Sequence, residues 1–142
     1  MDYDKLKEQR NQQSGHAQDM NMQILEVGMG TAVGRMEIED RMLNPYGAIH
    51  GGVLFSLADT VGGTAALSRG FYIVTSTGTI NYLRGTRRSR VITATAEEVK
   101  AGKTLSIYDV SMKDEHDRLV AKAVMTYYSL GAAIGQDEKI DY

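Results

Sequence analysis

The stretch Gly51-Gly52-Val53-Leu54-Phe55-Ser56-Leu57-Ala58-Asp59-Thr60-Val61-Gly62-Gly63-Thr64-Ala65-Ala66-Leu67-Ser68 decides the fold of this chain. Leu54, Leu57, Ala58, Val61 and Ala65 recur at spacings of three and four and make one apolar stripe, the pattern of a helix with a buried side. A second face, formed by Gly52, Ser56, Asp59, Gly63 and Ala66, is built almost wholly of small residues. Glycine costs about 0.8–1 kcal/mol relative to alanine inside a helix, so Gly62 and Gly63 side by side ask for a reason. Close approach of another backbone or a ligand is one reason; a helix break at Gly62 is the other reading.

Outward from this helix the chain reads as β-structure. Ile73 to Leu83 is rich in threonine and other β-branched residues, and Val91 to Val99, Thr104 to Met112 and Leu119 to Leu130 follow, separated by polar turns. Upstream, residues 21–28 and 31–39 read as two strands around Gly28 and Gly30. In the second, Gly34, Met36 and Ile38 alternate with Arg35, Glu37 and Glu39. Short connections favour antiparallel neighbours. One buried helix with a long antiparallel sheet is an α+β arrangement in which the sheet has to cover the helix. Residues 1–19 read as a polar N-terminal segment with a short helix over 2–13, anchored by Tyr3 and Leu6. Residues 20–130 are expected to form the main domain, and residues 131–142 a loose tail.

At 142 residues the chain suits a single domain with a real core. It has no cysteine, which excludes disulfides and cysteine-based metal or redox chemistry. His16, His50 and His116 lie far apart without metal-ligand spacing, so no metal is expected. A net charge of −2 gives no global drive towards nucleic acid or anionic membrane. No apolar run approaches the roughly 20 residues of a membrane span. The polar start, with no apolar core of a signal peptide, gives a cytoplasmic location as the expectation.

The helix is entered through Asn44-Pro45-Tyr46-Gly47-Ala48-Ile49-His50, a turn leading into Gly51 and Gly52. Amides at a helix start lack intrahelical partners and favour negative charge, so an oxyanion would be stabilised there. The same glycines also suit a plain tight turn. Asp59 is a carboxylate beside Leu57, Ala58 and Val61, costly to bury unless paired or useful, and a natural base. If the small-residue face points to solvent, that cost disappears. His50 can orient the loop or hydrogen-bond a substrate, and Asn44 is a residue type common in loops and caps.

Spacing adds a constraint. Gly51 and Asp59 are separated by eight residues, roughly 12 Å along a helix, whereas catalytic partners converge on one reacting carbon. If both serve one site, they come from different copies of the helix. Two antiparallel helices across a twofold axis satisfy this and give two equivalent sites per dimer.

The run Asn44-x-x-Gly47-x-x-His50-Gly51-Gly52, followed after six residues by Asp59, resembles the signature of hotdog-fold acyl-CoA thioesterases of the PaaI-like branch. Thr79-Ile80-Asn81-Tyr82-Leu83-Arg84 and Gly102-Lys103-Thr104-Leu105 are similar to strand sequences of the same family. The resemblance covers roughly residues 20–130. It implies a long central helix wrapped by an antiparallel sheet, in homodimers often paired into homotetramers, and an acyl-CoA substrate with no metal or bound cofactor. It further implies Asp59 as general base or nucleophile, the Gly51 amide as oxyanion hole, and His50 supporting the loop or touching the carbonyl. Asn44 would position water or thioester. Thr75 matches the strand hydroxyl that assists the carboxylate, with Thr77 as second choice. Gly85, after Arg84, stands where the family often has proline.

Arg84, Arg87, Arg88, Arg90, Lys100 and Lys103 form a basic stretch relieved only by Glu97 and Glu98. Phosphates of coenzyme A could dock there, Arg84 and Lys103 being candidates, or the run is a set of solvated turns. Gly52 and Tyr46 are further candidates for substrate contact. Two rival functions remain at this point: an acyl-thioester dehydratase or hydratase using His50 with Asp59, and a non-catalytic acyl-CoA-binding module.

Overall fold

Helix α3, Gly51–Leu67, lies against one face of a six-stranded antiparallel sheet, and the reason is its apolar stripe. Leu54, Leu57, Ala58, Val61 and Ala65 are all buried, in one cluster with Met36, Ile92, Val110, Met112 and Met125 from the strands. The computed structural model describes residues 1–135. Its strands are β1 (Met22–Gly28), β2 (Thr31–Glu37), β3 (Phe71–Tyr82), β4 (Val91–Ala101), β5 (Leu105–Asp114) and β6 (Leu119–Ala133). They lie in the order β1-β2-β4-β5-β6-β3, which leaves β1 and β3 at the edges. Two N-terminal helices, α1 (Tyr3–Gln12) and α2 (His16–Asp19), precede the sheet, with Leu6 buried as their anchor and Tyr3 half-buried.

Gly62 and Gly63 do not break the helix. A Cβ on Gly62 would stand 2.5 Å from the Tyr127 hydroxyl, and one on Gly34 would stand 2.6 Å from Val61. Close approach is therefore the reason for glycine at positions 62 and 34, whereas a Cβ on Gly63 would meet nothing nearer than 3.6 Å. Strand β6 runs to Ala133, into the stretch read as tail, because Ala133 pairs with Phe71 and the Ile134 N–H bonds the Gly70 carbonyl. The rest of that stretch, 136–142, lies outside the described residues.

Strand β3 contains a bulge between Thr75 and Thr77. On one side of it Thr75 is opposite the buried Tyr127; on the other Gly78 is opposite the buried Met125. The extra residue lets both Thr75 and Gly78 face the helix, and it turns Thr77 away.

Candidate active site

Asp59 projects from the middle of α3 and is half-buried. The Thr75 hydroxyl donates to its Oδ1 at 2.8 Å. The Tyr127 hydroxyl donates to the Asp59 carbonyl at 3.0 Å and lies 3.3 Å from the same Oδ1. One carboxylate oxygen is thus held by two hydroxyls, while Oδ2 accepts no hydrogen bond among the described residues. Burial, and then the Asp59 charge, push the Tyr127 hydroxyl far above the ordinary phenol range, so it remains a proton donor. Tyr127 also packs edge-to-face on Tyr108 at 5.9 Å between ring centroids.

Tyr127 was not among the residues read from the sequence. The signal was present in the alternation of β6, where Ala121, Ala123, Met125 and Tyr127 face inwards. A buried phenol on an apolar strand face needs a hydrogen-bond partner, and a carboxylate on the covering helix is the natural one.

The start of α3 has a different accounting. The ring of His50, the N-cap residue, accepts the Gly52 N–H at Nδ1, 2.9 Å, which places the ring proton on Nε2. The Val53 N–H bonds the His50 carbonyl. Gly51 is the one residue of this first turn whose N–H has no acceptor among the described residues. Gly52 therefore cannot offer its amide to a ligand while His50 holds it. The Tyr82 hydroxyl donates to the Gly51 carbonyl at 2.7 Å, and its ring covers the glycine closely enough that a Cβ there would meet it at 2.9 Å.

Asn44 shapes the entry loop. Its Oδ1 accepts the N–H groups of Tyr46 and Ala48 at 3.0 and 3.1 Å, and its own N–H bonds the Ala48 carbonyl. The Tyr46 side chain is 80% exposed and lines none of the cavities described here.

Three cavities divide the candidate residues. One of about 450 Å³ at the helix start takes in Asn44, Gly51, Tyr82 and Arg84. A second, about 430 Å³, takes in Asp59, Thr75 and Tyr127. A third, about 500 Å³, lies at the helix end with Arg69, Phe71 and Lys103. Within one chain Arg84 and Lys103 thus lie at opposite ends of α3, and Gly51 and Asp59 open into separate cavities. Thr77, the second choice for the hydroxyl beside Asp59, is on the outer face because of the bulge; the contact is made by Thr75. Among the described residues no group of three or more His, Cys, Asp or Glu could hold a metal ion. No helix there is long and apolar enough to cross a membrane.

The family model of the thioesterase superfamily matches residues 46–121. Acyl-coenzyme A thioesterase PaaI of Escherichia coli is 36% identical over 105 residues, covering 74% of this chain and 75% of that protein. The solved structure of E. coli PaaI, from the phenylacetic acid degradation operon, superposes with a TM-score of 0.79 at 33% identity, covering 82% of this chain and 85% of that one. A Streptococcus mutans protein bound to acetyl CoA has a TM-score of 0.76 at 31% identity, covering 80% and 91% of the two chains. A hypothetical thioesterase from Streptococcus pneumoniae, solved with coenzyme A, has a TM-score of 0.75 at 31% identity, covering 83% and 99%.

Helix, sheet and neighbours together define a hotdog-fold enzyme that hydrolyses thioester bonds. The chain belongs to the thioesterase superfamily, and its similarity within it is to PaaI. Of the functions open from the sequence, hydrolysis is the one these relatives carry in their names.

Proposed function

We propose that the protein hydrolyses acyl-CoA thioesters in sites shared between two copies of the chain, Asp59 coming from one and the Gly51 amide from the other. One observation carries this reading. The carboxylate with a free Oδ2 and the helix-start amide without an acceptor open into separate cavities of a single chain. A second copy docked along β3 would bring each cavity to its complement.

In that site the thioester carbonyl accepts the Gly51 N–H, which stabilises the oxyanion as the tetrahedral intermediate forms. Asp59 acts through Oδ2, on a water molecule or on the carbonyl carbon itself, while Thr75 and Tyr127 hold Oδ1 still. Collapse of the intermediate expels the coenzyme A thiolate, a good leaving group that needs no strong acid. Attack by water leaves the free carboxylic acid, whereas attack by Asp59 leaves a mixed anhydride that water then cleaves to the acid and the regenerated carboxylate. His50 caps the helix, keeping the Gly52 amide occupied and the Gly51 amide free, and Asn44 holds the loop that delivers both. Arg84 and Lys103, at opposite ends of α3 in one chain, come towards a common substrate only when the copies pair, and contact the phosphates of coenzyme A. The enzyme works in the cytoplasm without metal or bound cofactor, as a dimer that pairs further into a tetramer.

A panel of acyl-CoA esters with thiol detection tests the chemistry. Thiol release is expected from the wild type, reduced in Asp59→Ala by about 10²- to 10⁴-fold. Undiminished release in that variant would remove Asp59 from the mechanism.

A further inference from the structure

The cavity beside Asp59 has one wall that hydrolysis does not use. Leu67, Ile73, Val74 and Tyr127 give it an apolar body, and Arg10 and Gln13 from the N-terminal segment close it. Arg10 is only partly exposed and makes two hydrogen bonds, both to neutral acceptors. Its Nε donates to Thr64 Oγ1 at 3.1 Å, and its Nη1 donates to Gln13 Oε1 at 2.9 Å. A guanidinium carries five N–H groups, and among the described residues no carboxylate lies within 4.0 Å of this one. The segment carrying it is fastened along α3, since His16 Nε2 also meets Ser56 Oγ at 2.8 Å on the near side of Asp59.

We propose that Arg10, supported by Gln13, forms the far wall of the acyl pocket and selects acyl groups that end in a carboxylate, the short dicarboxylic acyl-CoA esters. The proposal rests on the reading of Asp59 as the reacting carboxylate. Thr64, to which Arg10 is tied, is five residues beyond Asp59, about 7.5 Å along the helix. Between them Gly63, Ile73 and the Tyr127 ring offer apolar surface beside Thr60 and Tyr72, which suits a short methylene chain. At the end stands a cation with no carboxylate within 4.0 Å among the described residues, which suits a terminal anion. A guanidinium fork binds a carboxylate through two parallel hydrogen bonds. An uncharged chain of equal length would cover the cation without compensating it. Burial holds the Arg10 guanidinium below its ordinary pKa, with the Asp59 charge opposing this, as expected of a cation kept from water without a close partner. Arg10 lies outside residues 46–121, so this wall belongs to the chain's own N-terminal segment and not to the stretch matched by the family model.

Adipoyl-CoA and hexanoyl-CoA match in length and differ only at the terminal group. Thiol release from both should be compared in wild type, Arg10→Met and Arg10→Lys. The wild type is expected to favour adipoyl-CoA by at least about tenfold in kcat/KM, the scale of a hydrogen-bonded ion pair. That ratio is expected to collapse in Arg10→Met and to survive in part in Arg10→Lys. A wild-type preference for hexanoyl-CoA, or an unchanged ratio in Arg10→Met, would overturn the proposal. If neither ester is hydrolysed, the wider acyl-CoA panel decides the hydrolytic reading, and calorimetry with the same two esters decides the pocket. Tighter binding of adipoyl-CoA that is lost in Arg10→Met supports it, and equal binding overturns it. Should Arg10→Met not fold, Arg10→Lys and Gln13→Leu, which unties Nη1, carry the same ratio test.

Discussion

β1 and β3 are both edge strands, yet among the described residues only β1 is closed by its own chain. β1 has seven residues and a bulge at Leu25, and helix α1 packs against it. Asn11 completes the closure: the Ile24 N–H donates to its Oδ1 at 2.7 Å, and its Nδ2 donates to the Ile24 carbonyl at 2.9 Å. A single side-chain amide thus stands in for a neighbouring strand. β3 has twelve residues and no such cover among the described residues, and exposed apolar side chains gather on it and beside it, at Phe71, Tyr82, Leu83, Val124 and Tyr128. A long open edge invites pairing with another chain, and proteins that do not use such an edge generally blunt it. Here the blunted edge strand itself lines neither the helix-start cavity nor the one beside Asp59. The open one carries Thr75 at the carboxylate and Tyr82 at the helix start, so it touches both groups that the proposed shared site would join.

This contrast can be broken from either side. The largest effect is expected from charging the open edge. Thr79→Lys with Asn81→Lys should convert dimers to monomers in light scattering and lower thiol release by about a hundredfold or more, because each site loses its oxyanion donor. The same kind of change on the closed edge, Gln23→Lys, should alter neither mass nor rate. Equal behaviour of the two variants would erase the distinction between the edges.

Opening the closed edge has a smaller effect. Asn11→Ala leaves the Ile24 backbone groups without their partner and should cost about 1–3 kcal/mol in denaturant unfolding, with mass unchanged. Assembly through β1 in that variant would show that Asn11 also guards against pairing.

The smallest effect concerns the fastening of the β1–β2 turn to the helix end. There the Gly30 N–H bonds Ser68 Oγ at 2.8 Å, and Glu98 beneath it pairs with Arg69. The hydrogen bond from Arg69 holds the Glu98 carboxyl below the usual range. A depressed carboxylate pKa stabilises the fold above the unfolded value and loses that contribution as the pH falls through the folded one. Both groups are partly exposed, so the contribution is about 0.2–1 kcal/mol. Glu98→Gln should remove that much at neutral pH and nothing at a pH where the wild-type carboxyl is protonated, as read from paired urea titrations.

The sequence carried much of this, for identifiable reasons. The stripe from Leu54 to Ala65 is long and strictly periodic, so helix α3 and its buried side could be read directly. That Gly51 and Asp59 open into separate cavities of one chain could be read from their spacing, because a helix has a fixed rise. What could not be read depended on register and tertiary reach. The bulge in β3 reverses Thr77 but not Thr75, and no local pattern announces it. That His50 consumes the Gly52 amide and leaves the Gly51 amide free is a matter of one rotamer. The approach of Arg10 to the Asp59 cavity requires knowing how a polar helix folds back over α3, which its composition does not reveal.

The central claim is that each site draws Asp59 and Gly51 from different chains, and mixing two inactive variants measures it. Asp59→Ala lacks the carboxylate, and Gly51→Val puts a side chain over the helix-start amide. Unfolded together and refolded as a mixture, they form mixed dimers in which one site is defective twice and the other is intact. Thiol release should then recover to about a quarter of the wild-type rate under random pairing. Mixed dimers, verified by mass, that remain as inactive as either parent would contradict the account.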